Sequence, residues 1–575
     1  MFVADVERVY PSTKALVKEQ IASRIFAQDA SIYDFSEEAY LSAQEYMGWS
    51  NLDTYNQEIL EDIKAFAQAQ HAEGLQTVVL IGQGGSTQAP MTITKYNSLD
   101  SNKVQFKTFD STSPVRVRSI LNGCDPRKTL VIVSSKSGST IEPRLALCAL
   151  RQEWAGLIEE DEMPKRFVAI TDPGSDLESQ ALREGWLAVF NGSPSIGGRF
   201  SALSVFGLLP AALVGIDIDV FLSHARSAQE LCSQDSIDNP AINLAAFLFD
   251  NYSSGRNKFS FLTPKRGRVL GLWIEQLVAE SLGKHNKGIL PNIEIDSLLL
   301  HKDPQDRSVI MYQTRTDLWD ERINFEMSLA YIDSNIPRLN YKIDSVYELA
   351  EHFVLWEYAI ALCGYLMKVC PFDQPDVSSA KQEVLRILDE GVPDPDFSQE
   401  YLDGINMGDV EVYTSDHFKG LNDVKLCLKS LFKSIVPGDY FSLNAFLPFM
   451  GEGRREALEE MRHCVAEQQG VVSCLELGPR YLHSTGQLHK GGPNNGVFLI
   501  LSADELKDIP LPYEARSMGS LSLAQAVGDC LVLSRKERRV VHLHLPDNSS
   551  VTLRRLAKLM HELLSEIKSE DSEQR

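Results

Sequence analysis

Five short segments concentrate the residue types that can do chemistry. In Val79-Leu-Ile-Gly-Gln-Gly-Gly-Ser-Thr87 a strand-like run ends in Gly84, Gly85 and Ser86, a turn whose N–H groups can face an anion. The spacing lacks the dinucleotide fingerprint and the lysine of a Walker A loop, so an ordinary tight turn is the plain alternative. In Val131-Ile-Val-Ser-Ser-Lys-Ser-Gly-Ser-Thr140, the hydroxyls of Ser135, Ser137, Ser139 and Thr140 surround Lys136 and Gly138 at the start of a helix. Hydroxyls and free N–H groups at a positive helix end suit a phosphate dianion, whereas helix capping alone would need one hydroxyl. Ser195-Ile-Gly-Gly-Arg-Phe-Ser-Ala-Leu-Ser204 places Arg199 at the head of an apolar helix, as an anion ligand or as half of a buried ion pair. Glu280 stands near the C-terminal end of the apolar stretch Gly271 to Gly283, which ends in Lys284. The macrodipole disfavours a carboxylate there unless a cation is near, a setting that suits a general base; a surface glutamate is the bland reading. Between Gly478 and Pro493 lie His483, Gln487, His489 and Lys490 among glycines. Histidines six apart with no third ligand are poor zinc spacing, so a sugar-handling loop with an acid/base histidine is preferred and no metal is expected.

The elements that must carry these segments follow from periodicity. Strands are expected at Thr77 to Ile81, Val104 to Phe109, Thr129 to Ser134, Phe167 to Ile170 and Leu187 to Phe190, spaced by helix-sized intervals. Such alternation predicts an α/β protein with mostly parallel sheets flanked by helices. A second strand series begins at Phe259 to Leu262 and Val309 to Tyr312. It resumes at Tyr440 to Ala445, Val471 to Leu475, Gly496 to Leu501 and Val540 to Leu545. The first sixty residues have helical spacing, the Pro- and Asp-rich stretch Cys370 to Asp396 reads as a surface insertion, and Ser565 to Arg575 reads as a fraying tail.

The 575 residues are too many for one ordinary core. With 56 Lys and Arg against 79 Asp and Glu, the net charge of −23 argues against nucleic acid and anionic membrane surfaces as partners. Any anionic ligand must therefore be held by local cations and helix N-termini. Nine cysteines without metal-like or paired spacing, and an acidic Met1 to Tyr10 unlike a signal peptide, predict a reducing, cytoplasmic location.

Taken in order, the segments resemble the phosphoglucose isomerases, most of all the isomerase half of the bacterial transaldolase/glucose-6-phosphate isomerase fusions. The likeness runs from about Arg24 to Leu545. It rests on Thr171-Asp-Pro-Gly-Ser175, Ile196-Gly-Gly-Arg-Phe-Ser-Ala-Leu-Ser204, Phe206-Gly-Leu-Leu-Pro-Ala-Ala212, Glu275-Gln-Leu-Val-Ala-Glu-Ser-Leu-Gly-Lys284, Gly288-Ile-Leu-Pro291 and His483-Ser-Thr-Gly-Gln-Leu-His-Lys-Gly-Gly-Pro-Asn494. The resemblance implies two sugar isomerase (SIS) domains in a homodimer acting on a small sugar phosphate. The corresponding division is a helical segment 1–60, SIS domains at 61–235 and 236–550 with an insertion near 370–436, and a C-terminal helix and tail at 551–575.

It further implies interconversion of glucose 6-phosphate and fructose 6-phosphate through a cis-enediol(ate), without metal or redox cofactor. Glu280 matches the base, Arg199 the stabiliser of the intermediate, and His483 the ring-opening histidine, usually supplied by the neighbouring subunit. Gly84, Gly85, Ser86, Ser135, Lys136, Ser137, Ser139 and Thr140 are implied phosphate and sugar contacts, with Gln276, His489 and Lys490 beside them. There is no room for a transaldolase barrel, so no transaldolase activity is expected. One position departs from the family: Ser522 stands where a lysine is expected, and no lysine occurs between Lys507 and Lys536. That departure leaves a catalytically weakened or non-catalytic SIS-fold sugar-phosphate sensor that regulates a partner as the rival, with Lys490 as a substitute cation if catalysis is retained. A subunit that assembles with a separate transaldolase is the third reading.

Overall fold

Runs such as Thr77–Gly82, Thr129–Ser134 and Phe167–Thr171 are apolar at nearly every position, which a strand tolerates only when both of its faces are covered. In the computed structural model these residues are buried from end to end. The structure describes residues 10–573 except 55–56, 98–103, 295–299, 301–304, 315–325, 328, 331, 403–404, 450, 452 and 512–515. The sequence reading of Met1 to Tyr10 therefore falls almost wholly outside the described residues.

The first sheet comprises Thr77–Gly82 (β1), Gln105–Phe109 (β2), Thr129–Ser134 (β3), Phe167–Thr171 (β4) and Ala188–Asn191 (β5), in the order β2-β1-β3-β4-β5. All of its pairings are parallel. The chain leaves β1 toward β2 on one side and returns to β3 on the other. The crevice between the carboxyl ends of β1 and β3 is therefore the topological switch point, where open α/β sheets take their ligands.

The second sheet is also parallel and has four strands, Lys258–Leu262 (β6), Leu290–Glu294 (β7), Arg307–Thr314 (β8) and Arg338–Ile343 (β9), ordered β7-β6-β8-β9. The third holds Phe397–Leu402 (β10), Ile405–Thr414 (β11), Tyr440–Phe446 (β12), Val472–Leu477 (β13), Gly496–Ala503 (β14) and, after the short pair Pro510–Leu511 (β15) and Arg516–Ser517 (β16), Arg539–Leu545 (β17). Its order is β10-β11-β17-β14-β12-β13, with an antiparallel hairpin on the edge of a parallel set.

Two compact units result, residues 1–110 with 123–374 and residues 111–122 with 375–575. The α/β architecture agrees with the sequence expectation, but the second strand series divides differently. Its early members form a sheet within the first unit, while its late members, joined by β10 and β11, make the sheet of the second. The stretch expected to be a surface insertion contains the helix Val377–Glu390, which packs on the helix Met518–Arg535 and buries Glu383 against Arg535 at 2.7 Å. The expected fraying tail is helical as far as Glu573.

In the first unit the helix Gly85–Asn97 packs against both Val205–Leu213 and Arg268–Leu282. Ser204 caps the second of these by accepting from the N–H of Phe206, and the hydroxyl of Thr92 ties the first to the third by donating to the carbonyl of Val269 at 2.9 Å. Three chemical segments of the sequence are thus mounted on helices that share one apolar core.

Candidate active site

The backbone of the glycine turn sets the first contact. A β-carbon on Gly85 would lie 2.0 Å from the carbonyl oxygen of Gly198 and 3.0 Å from the Arg199 nitrogen. Only glycine admits that approach, and it brings the turn after β1 against the loop that carries Arg199. Ser86 is buried in the first turn of its helix.

Arg199 is 4% exposed. Its Nη2 donates to the carbonyl oxygens of Phe372 (3.2 Å) and Asp373 (2.9 Å) and to Oε1 of Gln374. Its Nε stands 3.9 Å from Oε2 of Glu280, and its buried Nη1 has no hydrogen-bond partner. Arg199 thus supplies the cation that a carboxylate at the negative end of the Arg268–Leu282 helix requires. Gln276, one turn earlier, donates from Nε2 to the same Glu280 oxygen at 3.0 Å, while its own buried Oε1 is unpartnered. A carboxylate held by one amide donor, with an arginine 3.9 Å away that keeps an uncommitted guanidinium nitrogen, is suited to move a proton next to a developing oxyanion.

The hydroxyl loop follows β3, whose last residue Ser134 is in register with Gly82 at the end of β1. It therefore borders the switch point together with the glycine turn. Thr140 is the N-cap residue of the helix Ile141–Trp154, yet its side chain caps no N–H. The hydroxyls instead touch each other, Ser135 with Thr140 at 3.4 Å and Ser137 with Ser139 at 3.0 Å. Capping is thus excluded as the use of Thr140, and the helix end keeps N–H groups for an anion. Gly138 has φ +68°, and a β-carbon there would lie 2.9 Å from the Leu177 nitrogen.

Lys136 does not face this set as an uncommitted cation. Its Nζ pairs with Asp172 and donates to the carbonyl of Pro194 at 3.2 Å, tying the ends of β3, β4 and β5 together. Burial holds the Asp172 carboxyl above its usual range, and Lys136 pulls it back. What the loop can offer an anion here is neutral hydroxyls and N–H groups. Ser139→Ala combined with Thr140→Ala is expected to weaken binding of a phosphorylated sugar by roughly 10- to 100-fold, the worth of one or two charge-assisted hydrogen bonds. Calorimetric titration checks this, and an unchanged dissociation constant would place the phosphate elsewhere.

The remaining expected site residues belong to the second unit. His483 ends the short turn Arg480–His483 and is half-buried. His489 is 1% exposed, its ring centroid 5.0 Å from that of Phe498, 5.9 Å from Tyr440 and 6.0 Å from Tyr481. Burial, then the charges of Lys490 and Arg538, holds its pKa well below the usual histidine range. Lys490 pairs with Asp529 at 2.5 Å, both side chains being inaccessible, and Asp529 also accepts from the Tyr481 hydroxyl at 2.6 Å. The structure thus places His489 and Lys490 in the interior of their unit, with Lys490 already neutralised.

Sequence reasoning missed Asp373, Gln374 and Lys284. The first two open the stretch read as an insertion. Lys284 is fully buried and donates to the carbonyl oxygens of Cys370 (2.8 Å) and Asp373 (2.5 Å), and it pairs with the Asp373 carboxylate. The available signal was a lysine directly following an apolar helix.

Comparison with known proteins adds a likeness over part of the chain. A sequence model described as phosphoglucose isomerase matches residues 50–289. Glucose-6-phosphate isomerase of Mycoplasmopsis pulmonis is 29% identical over 397 residues, 61% of this chain and 92% of the relative. Glucose-6-phosphate isomerase of Enterococcus faecalis is 27% identical over 436 residues, 67% of this chain and 94% of the relative. Over these spans the chain is similar to the phosphoglucose isomerases. Among solved structures, a hypothetical protein of Thermus thermophilus superposes with a TM-score of 0.57 at 24% identity, covering 68% of this chain and all of that one. A glucose-6-phosphate isomerase from Chlamydia trachomatis gives 0.53 at 18% identity, covering 66% of this chain and 85% of its own. These two likenesses concern the fold. The span matched by the phosphoglucose isomerase model contains the glycine turn, the hydroxyl loop, Arg199, Gln276, Glu280 and Lys284, and ends before His483.

Proposed function

We propose that the protein is an aldose–ketose isomerase that interconverts glucose 6-phosphate and fructose 6-phosphate. The observation that carries this reading is the buried set Glu280, Gln276 and Arg199, with its unpartnered guanidinium nitrogen, held against a glycine turn at the switch point of a parallel sheet. The match to the phosphoglucose isomerase model and the relatives named glucose-6-phosphate isomerase support the substrate.

In this mechanism the phosphate sits on the N–H groups around Gly84, Gly85 and Ser86 and on the hydroxyls of Ser135, Ser137, Ser139 and Thr140. His483, from the neighbouring copy of a homodimer, opens the ring by moving the anomeric hydroxyl proton to the ring oxygen. Glu280 then removes the proton from C2. The C–H electron pair forms the C1–C2 double bond, and the carbonyl electrons move onto O1. Arg199 Nη1 stabilises that negative charge in the cis-enediol(ate). Glu280 returns the proton to C1 while the O2 proton moves to O1, which leaves the ketose. The enzyme serves glycolysis and gluconeogenesis in the cytoplasm, a reducing setting that its nine free thiols suit. Among the described residues no helix is long and apolar enough to cross a membrane.

Ser522 favours a second reading, a sugar-phosphate sensor. It is 8% exposed on the Met518–Arg535 helix, and Lys490 is engaged by Asp529 and so is no substitute for the missing lysine. The decisive experiment is conversion of fructose 6-phosphate by the purified chain without added metal, followed through glucose-6-phosphate dehydrogenase. Turnover is expected. Calorimetric binding of fructose 6-phosphate without turnover would replace the enzyme by the sensor.

A further inference from the structure

Two buried cations converge on one carbonyl oxygen. Asp373 O accepts from Arg199 Nη2 at 2.9 Å and from Lys284 Nζ at 2.5 Å. Lys284 follows the C-cap Gly283 of the helix that carries Gln276 and Glu280, four residues beyond the carboxylate. Its other partners, Cys370 O at 2.8 Å and the Asp373 carboxylate, belong to the same segment whose Phe372 and Gln374 oxygens hold Arg199. A second lysine from the same turn, Lys287, donates to Met367 O at 2.8 Å, so this connection is pinned at both ends.

We propose that Lys284 is a positioning residue of the isomerase: it anchors the Cys370–Gln374 segment to the helix bearing Glu280 and thereby fixes Arg199 against that carboxylate. The proposal rests on the isomerase reading. Its logic is that a base and an oxyanion stabiliser act together only at a set separation, and Arg199 hangs on carbonyls of a loop rather than on a regular element. Lys284 turns that loop into an extension of the helix. No direct contact between Lys284 and substrate is needed.

The charged and titratable groups facing Lys284 are Arg199 from the Gly198–Phe200 turn and Asp373 and Cys370 from the segment. Cys370 in turn neighbours Tyr33. Burial first, then the neighbouring Arg199, lowers the Lys284 pKa to about 8, with Asp373 opposing. A group lowered in this way is charged below that pH and loses its charge as pH rises through it. The Asp373 carboxylate then loses its counter-charge and the anchor weakens.

The test is a kcat and KM profile from about pH 6.5 to about pH 9.5 for the parent, Lys284→Met and Lys284→Arg, with hydrogen exchange of the peptide spanning 368–376. Lys284→Met is expected to lower kcat about 10- to 100-fold with KM within about threefold, and to accelerate exchange in that peptide. Lys284→Arg is expected to remove an alkaline fall in kcat that the parent shows near pH 8. A Lys284→Met enzyme within twofold of the parent, or the same alkaline limb in Lys284→Arg, overturns the proposal. If Lys284→Met does not fold, the Lys284→Arg profile decides. If the parent itself lacks turnover, the isomerase reading fails, and exchange alone decides whether Lys284 anchors the segment: faster in the variants supports it, unchanged refutes it.

Discussion

Glu280→Gln is expected to lower turnover of fructose 6-phosphate by roughly 1,000-fold or more while sugar-phosphate binding stays within about tenfold. The reaction has no other route for the C2 proton in the proposed site. Gln276 can only donate toward that position, and the guanidinium of Arg199 has no lone pair to take a proton. Glutamine keeps the shape of the side chain, and by turning its amide oxygen toward Gln276 Nε2 it keeps the 3.0 Å contact. It loses the charge that faces Arg199 Nε at 3.9 Å, a long contact that holds little of the local structure. The phosphate contacts lie on other loops, which is why affinity is expected to survive. Coupled assay and calorimetry on the same preparation measure both quantities. Retained turnover would reject Glu280 as the base, and loss of binding would mean that the substitution had disturbed the site as a whole.

How much of this could be read beforehand depended on the distance in sequence over which each feature is decided. Strands such as Val131–Val133 and Phe498–Leu501 announce themselves because sheets covered on both faces demand continuous apolar runs. Which sheet a strand joins is decided by pairings across many residues, so Lys258–Leu262 and Tyr440–Phe446 looked like one series and are not. Strand β11 was hidden because Gly408, Asp409 and Glu411 break its apolar run, and β7 because it carries Pro291.

The site divides along the same line. Glu280 and Arg199 were legible from helix position: a carboxylate at the negative end of an apolar helix and a cation at the head of another each need a partner, and they are each other's. The acceptors of Arg199 lie 173 to 175 residues away, in a stretch whose Pro and Asp content imitates a surface loop. Lys136 has a partner the sequence does not announce, for a related reason. A lysine among serines suits a phosphate, but Asp172, at the end of the neighbouring strand, reaches it first. For His489, glycines and polar neighbours suggested a ligand loop, whereas the rings of Tyr481 and Phe498 on either side of it in sequence, and of Tyr440 from a preceding strand, pack around it.

Arg199→Lys is expected to lower kcat by roughly 100- to 1,000-fold, the cost of one lost donor to a developing oxyanion, with KM changed by less than about fivefold. The reason is geometric. In Arg199 one terminal nitrogen serves Phe372 O, Asp373 O and Gln374 Oε1, which leaves Nη1 for the intermediate and Nε toward Glu280. A lysine has a single nitrogen and must choose between the carbonyls and the substrate. Buried carbonyl oxygens without a donor cost about 1–3 kcal/mol each, so the ammonium is drawn to the Cys370–Gln374 segment and away from the chemistry. Folding is thereby kept while catalysis is lost. Arg199→Met removes both functions, so it should match the loss of kcat and also lower the thermal midpoint. A lysine variant within threefold of the parent would show that the charge of Arg199, rather than its fork of donors, is what the reaction uses. A methionine variant with unchanged thermal stability would show that the segment does not depend on Arg199 for its place.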